Sequence, residues 1–368
     1  MKTISKLKFF LPELSEDCNI ICSLKGKLFT PEENKILFEQ NFHKSLDPFE
    51  IIKQDMLDFT KSIQSYLQSG ENSVDYITQY YFKHPGKHIR PTIALILARA
   101  INSAKNQDFS LSSIHHTQRI FSQVIEMIHC SSLIHDDVID SGETRRGQTA
   151  VHKQVGNKAA VLGGDYLIST ASLMCTELKD LRLIELISAI MENLSKGELI
   201  QSDTQESDLD ALLVAYCHKT YFKTASLIAH GCKGIGLYGM EEEKCFEFGK
   251  HLGLAFQYVD DILDFTGDKK TLGKPSLNDM KEGLATGPVL FACAHQPSLI
   301  DVVFRKFTET DDIIQGKEAA LKFGLETTRR LALIHLMKSL EALNFIPKSS
   351  YAYSALNSLA HKVYSRIS

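Results

Sequence analysis

Two short acidic patterns are the part of this sequence best suited to chemistry. Both read Asp-Asp-x-x-Asp within apolar, helix-like stretches. On a helix, residues i and i+4 lie on one face, so the first and last aspartates of each pattern point the same way. Carboxylates on one face suit Mg²⁺, which completes its coordination with water or phosphate oxygens. Two such faces predict a site that holds a diphosphate between Mg²⁺ ions. The six candidates are Asp136, Asp137, Asp140, Asp260, Asp261 and Asp264.

Chance accounts poorly for two such patterns in one chain. With 22 aspartates in 368 residues, roughly 0.08 matches are expected at random. The probability of finding two matches by chance is roughly 0.003. The alternative interpretation is a pair of solvated acidic helix ends. It remains reasonable for either pattern alone and is much weaker for both together.

Basic residues follow both patterns closely, and a diphosphate site needs such cations in addition to metal. A further basic segment, Gly86–Pro91, precedes a predicted helix start, which is a favourable place for an anion. Other polar residues lie within apolar helical stretches and are predicted to face a cavity. Taken group by group, exposed surface charges are the competing interpretation. The basic candidates are Lys87, Arg90, Arg145, Arg146, Lys269, Lys270 and Lys274, and the polar ones are His129, Lys219, Thr220 and Gln257.

The elements that position these residues are predicted to be almost entirely helical. Asp47-Pro48 is typical of an N-cap followed by proline at the first helical position. No strand-like alternation competes with the helical spacing of apolar residues. We expect one all-α domain over residues 46–368, preceded by an N-terminal extension, residues 1–45, that is a possible targeting segment. Helices are predicted near 112–140, 157–178, 181–202, 209–237, 241–266, 279–295, 311–344 and 350–366.

Composition excludes several classes of function. The net charge of −4 gives no overall attraction to nucleic acid, so no nucleic-acid partner is expected. No apolar run reaches 18 residues, so no membrane-spanning helix is predicted. The eight cysteines lack zinc-ligand spacing and are interpreted as reduced thiols. Lysines at the N-terminus give only a weak targeting signal, because transit peptides are rich in arginine and serine.

Together, these segments resemble the trans-isoprenyl diphosphate synthases. The similarity is strong over residues 80–295 and loose elsewhere, and residues 285–293 resemble the long-chain branch, the catalytic subunits of eukaryotic decaprenyl and solanesyl diphosphate synthases. The segments that carry it are G-K-x-x-R-P (86–91), E-M-I-H-x-x-S-L-I-H-D-D-V-I-D (126–140), R-R-G (145–147), G-N-K-A-A-V-L-G-G-D-Y-L (156–167), K-T (219–220) and F-Q-x-x-D-D-x-L-D-F with a following G-K-P (256–275).

The resemblance implies the isoprenoid synthase fold, with helices around a central apolar cavity, and a role for each matching residue. Asp136, Asp140 and Asp260 would bind Mg²⁺, about three ions per active site, supported by the other three aspartates. The residues implied for the allylic diphosphate are Arg145, Lys219, Thr220, Gln257 and Lys274. Those implied for isopentenyl diphosphate are Lys87, Arg90, His129 and Arg146. His88 and Ser131 depart from the family pattern, where arginine and alanine are usual.

The implied reaction lengthens an allylic diphosphate, farnesyl or geranylgeranyl, with isopentenyl diphosphate. Ionisation of the allylic C–O bond is stabilised by Mg²⁺ and cationic side chains. The double bond of isopentenyl diphosphate then attacks and a proton leaves, with the departing diphosphate as a plausible base. Ser131 and Ser132 precede the first pattern by five and four residues, where bulky aromatics in this family block the growing chain. Two small residues predict a product of about C30–C50, for the ubiquinone side chain.

Several alternatives remain open from the sequence. One is a shorter-chain geranylgeranyl diphosphate synthase, and another is a non-catalytic partner subunit of a hetero-oligomeric synthase. A terpene cyclase or squalene-synthase-like enzyme, or a His-Asp phosphohydrolase that uses His135 and Asp136, is less consistent with two complete patterns. We expect a homodimer or a hetero-oligomer with a related subunit, and a product that partitions into the membrane. The expected location is the mitochondrial matrix, with the cytoplasm as the alternative.

Overall fold

The computed structural model of the chain describes residues 11–83, 86, 88–105, 113–202, 208–239, 241–267 and 277–367. Lys87, Lys269, Lys270 and Lys274 lie outside these described residues. Within them the fold is all-α, as predicted, apart from one short hairpin.

The bounds of the elements follow the predicted helices closely through the first two thirds of the chain. Up to the first acidic pattern the helices are α1 (Ser15–Ser23), α2 (Pro31–Asn41), α3 (Pro48–Ile51), α4 (Lys53–Tyr66), α5 (Asn72–Lys83), α6 (Ile89–Lys105) and α7 (His116–Ile139). Next come β1 (Thr144–Arg145), β2 (Gln148–Thr149), α8 (Val151–Val155), α9 (Asn157–Glu177), α10 (Leu181–Ser202), α11 (Leu209–Thr220), α12 (Ser226–Gly236) and α13 (Glu242–Thr266). The last are α14 (Asn278–Lys281), α15 (Gly287–Cys293), α16 (Leu299–Phe304), α17 (Asp312–Ala319), α18 (Leu325–Ala342) and α19 (Tyr351–Tyr364).

Helix starts follow from local capping chemistry. The Asp47 carboxylate accepts a hydrogen bond from the backbone N–H of Phe49 at 3.0 Å, and Pro48 occupies the first helical position, as predicted. The long helix α7 starts at a capping box in which the Gln118 side chain accepts from the backbone N–H of His115. Such caps satisfy backbone N–H groups that a helix start leaves without a partner.

Helices α7 and α13 form the centre of the fold. Helix α7 packs against α9, and α13 packs against both α12 and α18. Residues 248–255 of α13 are buried on all sides, which is typical of a core helix. Both acidic patterns lie in the last turns of these two helices, where the helix dipole is negative. Carboxylates there increase the local negative charge, so the site requires cations.

A glycine pair on α13 allows its close contact with the preceding helix. A Cβ atom at Gly253 would lie 2.7 Å from the Cα of Ala225, and one at Gly249 would lie 2.8 Å from the carbonyl oxygen of Ile228. Real Cβ atoms do not approach backbone atoms so closely. Glycine at both positions, one turn apart, therefore fixes α13 against α12 and the π turn at Tyr221–Ala225.

The segment before residue 46 contributes to the core. Leu14, Cys18 and Ile21 are fully buried, and α1 packs against α11. The ion pair between Asp17 and Lys250 links this helix to α13.

The structure differs from the sequence-based expectation at two places. The helix predicted over 279–295 is divided into α14 and α15, because Gly283 has a φ of +79° and a new helix starts at Gly287 with Pro288 in its first turn. The basic stretch after the first pattern forms a β-hairpin, with Arg146 and Gly147 at φ +54° and +74° in its turn. Two central residues with positive φ are characteristic of a type I′ turn.

Two further findings concern the membrane and the thiols. Searched over its described residues, the chain contains no helix long and apolar enough to cross a membrane. All eight cysteines are free, and seven of them are buried.

The close contact at Gly253 can be tested by replacing it with alanine. We expect Gly253→Ala to lower the free energy of unfolding by about 1–3 kcal/mol, because the π turn at Ala225 and α13 must separate to admit the methyl group. Chemical denaturation followed by circular dichroism measures this. The matched control is Gly231→Ala on α12, where the new Cβ would meet Ile125 at an ordinary 3.5 Å. Equal effects of the two substitutions would contradict the account.

Candidate active site

The first acidic pattern presents two accessible carboxylates at the end of α7. Asp136 is half-buried and Asp140 is exposed. Burial raises the pKa of Asp136 to about 6, although the positive charge of Lys223 opposes it. Burial also raises the pKa of Asp140. Among the described side chains, none donates a hydrogen bond to either carboxylate. These two groups therefore have free oxygens and an unmet need for a cation.

Asp137 has a different role, because its carboxylate is buried and fully occupied by protein groups. Its Oδ1 accepts from Nε and Nη2 of Arg145 at 2.8 and 2.5 Å, and its Oδ2 accepts from the hydroxyl of Tyr81 at 2.6 Å. This arrangement fixes the Arg145 guanidinium beside the accessible carboxylates of the same pattern. Asp137 is thus a positioning residue.

The hairpin turn determines where the second arginine lies. Arg146 has a left-handed backbone, uncommon for a residue with a side chain, and its guanidinium lies over the Tyr81 ring. Its Nη1 donates to the Tyr81 carbonyl at 3.1 Å. A Cβ at Gly86 would lie 2.9 Å from the Nε of Arg146, so the two basic segments predicted as anion sites meet here.

The second acidic pattern, at the end of α13, has one accessible aspartate, whereas the first has two. Asp260 is half-buried and accepts a hydrogen bond from Nη2 of Arg366 at 2.5 Å. Asp261 is buried, with hydrogen bonds from the Tyr216 hydroxyl and from Nε2 of Gln257, the latter at 2.8 Å. Burial raises the pKa of Asp261 to about 7.

Asp264 is buried and organises the chain beyond α13. Its carboxylate accepts from the backbone N–H groups of Asn278 and Asp279 at 3.1 and 3.4 Å. Its carbonyl oxygen accepts from the N–H of Leu277 at 3.0 Å. Asp264 therefore fixes the start of α14 and, like Asp137, acts on the backbone and side chains around it.

One ridge of cationic residues lies between the two patterns. Lys219 and Lys223 are one helical turn apart at the end of α11 and in the π turn. Although burial opposes it, the charges of Glu198, Asp136 and Asp140 raise the pKa of Lys223.

The other lysine of the ridge faces the second pattern. Burial lowers the pKa of Lys219, while the charges of Asp279 and Asp261 act in the opposite direction. One lysine therefore interacts with the charges of the first pattern and the other with Asp261 of the second, so the two patterns are linked electrostatically through this ridge.

The π turn is also joined directly to the second pattern. The Thr224 hydroxyl donates to Oε1 of Gln257 at 2.7 Å, and Gln257 in turn holds Asp261. Thr220 is buried in the last turn of α11. Among the predicted residues, Gln257 thus links the lysine ridge to α13.

A second basic region lies between α6, α7 and the hairpin. Nη1 of Arg90 is 3.0 Å from Nε2 of His129. Burial and the nearby Arg90 and Arg146 charges lower the pKa of His129 well below its usual range. Burial and Arg146 similarly lower the pKa of His88. The Nε of Arg90 is buried and has no hydrogen-bond partner among the described residues. This cluster carries an excess of positive charge suited to an anion.

The two small residues before the first pattern face different surroundings. The Ser131 hydroxyl is fully buried and donates to the Gly164 carbonyl of α9 at 2.8 Å. The Ser132 hydroxyl is half-buried and donates to the His129 carbonyl of its own helix at 2.9 Å. Ser131 therefore lies at the α7–α9 contact, and Ser132 beside it has more free space.

Sequence reasoning missed several residues that complete the site. Lys223 was detectable, because it lies one turn after Lys219 on the same helical path. Arg366, in contrast, reaches Asp260 from the last residues of the chain, and no local pattern marks it. Its guanidinium also lies over the Phe256 ring, 4.8 Å from the centroid. The other residues missed are Tyr81, Glu198 and Tyr216.

The donor set fits Mg²⁺. The accessible acids are Asp136, Asp140 and Asp260, the three predicted as ligands, and all offer hard oxygen atoms. The remaining three acids are held by protein donors.

Comparisons with known proteins agree with this geometry. A family model described as polyprenyl synthetase matches residues 71–320. The chain is 35% identical to the probable mitochondrial hexaprenyl pyrophosphate synthase of Neurospora crassa, over 94% of this chain and 87% of that protein. It is also 35% identical to human all-trans-polyprenyl-diphosphate synthase PDSS1, over 87% of this chain and 76% of that protein.

Solved structures show the same fold. The polyprenyl synthase of Caulobacter crescentus CB15, complexed with calcium and isoprenyl diphosphate, has a TM-score of 0.77 at 27% identity and covers 87% of this chain and 97% of its own. The decaprenyl diphosphate synthase of Rhodobacter capsulatus has a TM-score of 0.75 at 26% identity, over 87% of this chain and 98% of its own. The predicted isoprenoid synthase fold is confirmed.

Glu126, buried next to the Arg90 cluster, gives the site a testable pH dependence. Burial raises its pKa to about 7, although Arg90 and Arg146 oppose the shift. A carboxyl whose pKa is raised by folding stabilises the protein at low pH, and this stability is lost as pH rises towards 7. We expect Glu126→Gln to remove this loss, which amounts to up to about 1.4 kcal/mol per pH unit.

Urea denaturation at pH 5.5 and pH 7.5 measures this difference. Glu39→Gln, on the exposed face of α2, is the matched control and should follow the wild type. An unchanged pH dependence in Glu126→Gln would show that the carboxyl does not titrate in this range.

Proposed function

This chain belongs to the polyprenyl synthetase family, and we propose that its two acidic patterns hold one allylic diphosphate through Mg²⁺. The enzyme is a prenyltransferase of the long-chain trans-polyprenyl diphosphate synthase type. Family members use Mg²⁺ bound by acidic motifs, with isopentenyl and allylic diphosphates as substrates. The proposal is supported by the accessibility of Asp136, Asp140 and Asp260. It is also supported by the lysine ridge, in which Lys223 interacts with Asp136 and Asp140 and Lys219 interacts with Asp261.

Asp136 and Asp140 would hold Mg²⁺ on one side and Asp260 on the other, with about three ions in all. Bound Mg²⁺ supplies charge stabilisation of the departing diphosphate. The Arg366 guanidinium pairs with one carboxylate oxygen of Asp260. When Mg²⁺ binds Asp260, it would replace the guanidinium as the positive partner of that oxygen.

The cationic side chains provide the remaining stabilisation of the allylic diphosphate. Arg145 is held in place by Asp137, and Lys219 by its position at the end of α11, so both can bind phosphate oxygens without reorganising. Lys223 was not predicted, and we add it to this set. Lys274, which lies outside the described residues, and Thr220 and Gln257 complete the proposed set.

Isopentenyl diphosphate is assigned to the second basic region. Arg90, His129 and Arg146 converge there, and the Arg90 guanidinium retains an unpaired N–H for a phosphate oxygen. Lys87, outside the described residues, would join them. The double bond of isopentenyl diphosphate attacks the allylic cation, a new C–C bond forms, and one proton and one diphosphate leave. The departing diphosphate accepts that proton, since no side chain of the motifs is suited to do so.

The product is proposed to be about C30–C50, with the tail in an apolar cavity, and to serve as the ubiquinone side chain. The relatives include mitochondrial hexaprenyl pyrophosphate synthases, and a mitochondrial location is proposed for this chain. A homodimer or a hetero-oligomer with a related subunit is proposed for the assembly.

The catalytic assignment predicts the effect of single aspartate substitutions. Purified protein with farnesyl diphosphate, isopentenyl diphosphate and Mg²⁺ should form polyprenyl diphosphate, measured by incorporation of labelled isopentenyl diphosphate. Asp136→Asn and Asp260→Asn should each lower kcat roughly 10²–10³-fold, because a charge-stabilising contact is lost. Asp301→Asn, exposed on α16, is the control and should be fully active.

The same assay separates the two candidate roles of the chain. Robust incorporation by the purified chain alone excludes a non-catalytic subunit. No incorporation alone, but incorporation with a related partner subunit present, would assign it to a hetero-oligomer. Activity that survives in both aspartate variants would overturn the assignment of the metal site.

Chain length should depend on the residue at position 131. An aromatic ring there cannot lie where the hydroxyl lies, because the Gly164 carbonyl is only 2.8 Å away. The ring of Ser131→Phe would turn towards the tail and shorten the product relative to the wild type. Chromatographic sizing of the products measures this. Ser131→Ala is the matched control and should keep the wild-type length, while an unchanged length in a folded Ser131→Phe protein would defeat the idea.

A further inference from the structure

A buried cluster of nitrogen and oxygen atoms lies away from both acidic patterns. It consists of Asp17 from α1, His251 from α13 and His335 from α18. Each of these side chains is at most 5% exposed. His251 precedes Asp260 by nine residues, about 13 Å along the axis of α13. The cluster therefore belongs neither to the diphosphate site nor to the basic region beside it.

Three donor atoms of this cluster face one another. Nδ1 of His251 is 3.0 Å from Nδ1 of His335, and Oδ1 of Asp17 is 3.4 Å from the first nitrogen and 3.8 Å from the second. A triangle with these sides has its centre about 2.0 Å from each corner, which matches Zn–N and Zn–O bond lengths of about 2.0–2.2 Å. Around a tetrahedral zinc ion, neighbouring ligand atoms are about 3.3 Å apart, and these three distances bracket that value.

Hydrogen bonds within the protein do not satisfy this cluster. Only the two imidazole nitrogens are within hydrogen-bonding distance, and both Asp17 contacts exceed the usual N–H···O range. Oδ1 of Asp17 and Nε2 of His335 have no hydrogen-bond partner among the described residues, whereas Oδ2 of Asp17 forms an ion pair with the Lys250 ammonium at 3.3 Å. Fully buried polar atoms are normally paired, so the unpartnered Oδ1 of Asp17, which faces the two imidazole nitrogens, indicates a missing ligand.

We propose that Asp17, His251 and His335 bind one Zn²⁺ ion through Oδ1 and the two Nδ1 atoms. Two imidazoles and one carboxylate are ligands that zinc commonly takes, with water in a fourth position. Magnesium and calcium prefer all-oxygen sites, so the two nitrogens select against the ion used in the diphosphate site.

Neighbouring charges of both signs surround the cluster. The Lys250 ammonium lies 3.3 Å from Oδ2 of Asp17 and 2.8 Å from Oε2 of Glu247, so it takes the outer oxygen and leaves Oδ1 to the metal. Oε2 of Glu247 is 3.5 Å from Nε2 of His251. A carboxylate on the far side of a ligating imidazole is the usual outer partner in zinc sites.

The proposed zinc ion would fasten the N-terminal helix to the core. The family match covers residues 71–320, so Asp17 and His335 both lie outside it, while His251 lies inside. The metal would therefore join α1 and α18 to α13, the helix that carries the second acidic pattern. Binding energy of a buried structural metal contributes directly to folding.

Metal analysis of the full-length protein tests the proposal. Protein expressed in zinc-supplemented medium, dialysed and measured by inductively coupled plasma mass spectrometry should contain about one zinc ion per chain. His335→Asn and Asp17→Asn should each lower the zinc content at least about tenfold. The matched control is His230→Asn, at a half-buried histidine that is hydrogen-bonded within its own helix, and this variant should retain zinc.

Two further measurements keep the result unambiguous. Asp136→Asn with Asp260→Asn should also retain zinc, whereas loss in that variant would place the ion at the diphosphate site and overturn the proposal. If the variants of the proposed ligands do not fold, metal-free wild-type protein is titrated with Co²⁺ and its visible absorption spectrum is measured. Visible d–d bands that saturate at about one equivalent support a four-coordinate site, and wild-type protein that lacks zinc and develops no such bands excludes it.

Discussion

The structure depends on the electrostatic cost of placing six carboxylates at the C-terminal ends of two core helices. Helices α7 and α13 are buried among apolar neighbours, and their dipoles already concentrate negative charge where the acidic patterns lie. The protein compensates the three buried carboxylates through a guanidinium, two tyrosine hydroxyls, an amide and backbone N–H groups, and Arg366 also pairs with Asp260. The accessible half remains for metal ions and the diphosphate they hold. The same division explains why aspartates of identical pattern have different roles.

The sequence predicted the fold and the first layer of the site well, because both follow from local rules. Helical spacing located α7, α9 and α13 to within a few residues, and the Asp47-Pro48 start was correct. The i, i+4 argument placed Asp136 and Asp140 on one face of α7, where both are accessible. Gly283, with its positive φ, and Pro288, in a helical first turn, divide the predicted 279–295 helix, and both residue types are local signals for such a break.

What the sequence could not predict depends on contacts between distant segments. Arg366 meets Asp260 across more than a hundred residues, and the bond from Tyr81 to Asp137 joins α5 to α7. The hairpin that sets Arg146 against Gly86 needs two consecutive positive φ values, one of them at an arginine, which propensities do not predict. The cluster of Asp17 with two histidines likewise exists only once α1, α13 and α18 are packed together.

Binding of the leaving group alone tests the central claim most directly. Calorimetric titration of inorganic diphosphate into the protein, with and without Mg²⁺, separates the metal clamp from the chemistry that follows. The account predicts tight binding only when Mg²⁺ is present, and its loss in both Asp136→Asn and Asp260→Asn, because each helix supplies one side of the clamp. Binding of equal strength without Mg²⁺, or undiminished in either variant, would contradict the account.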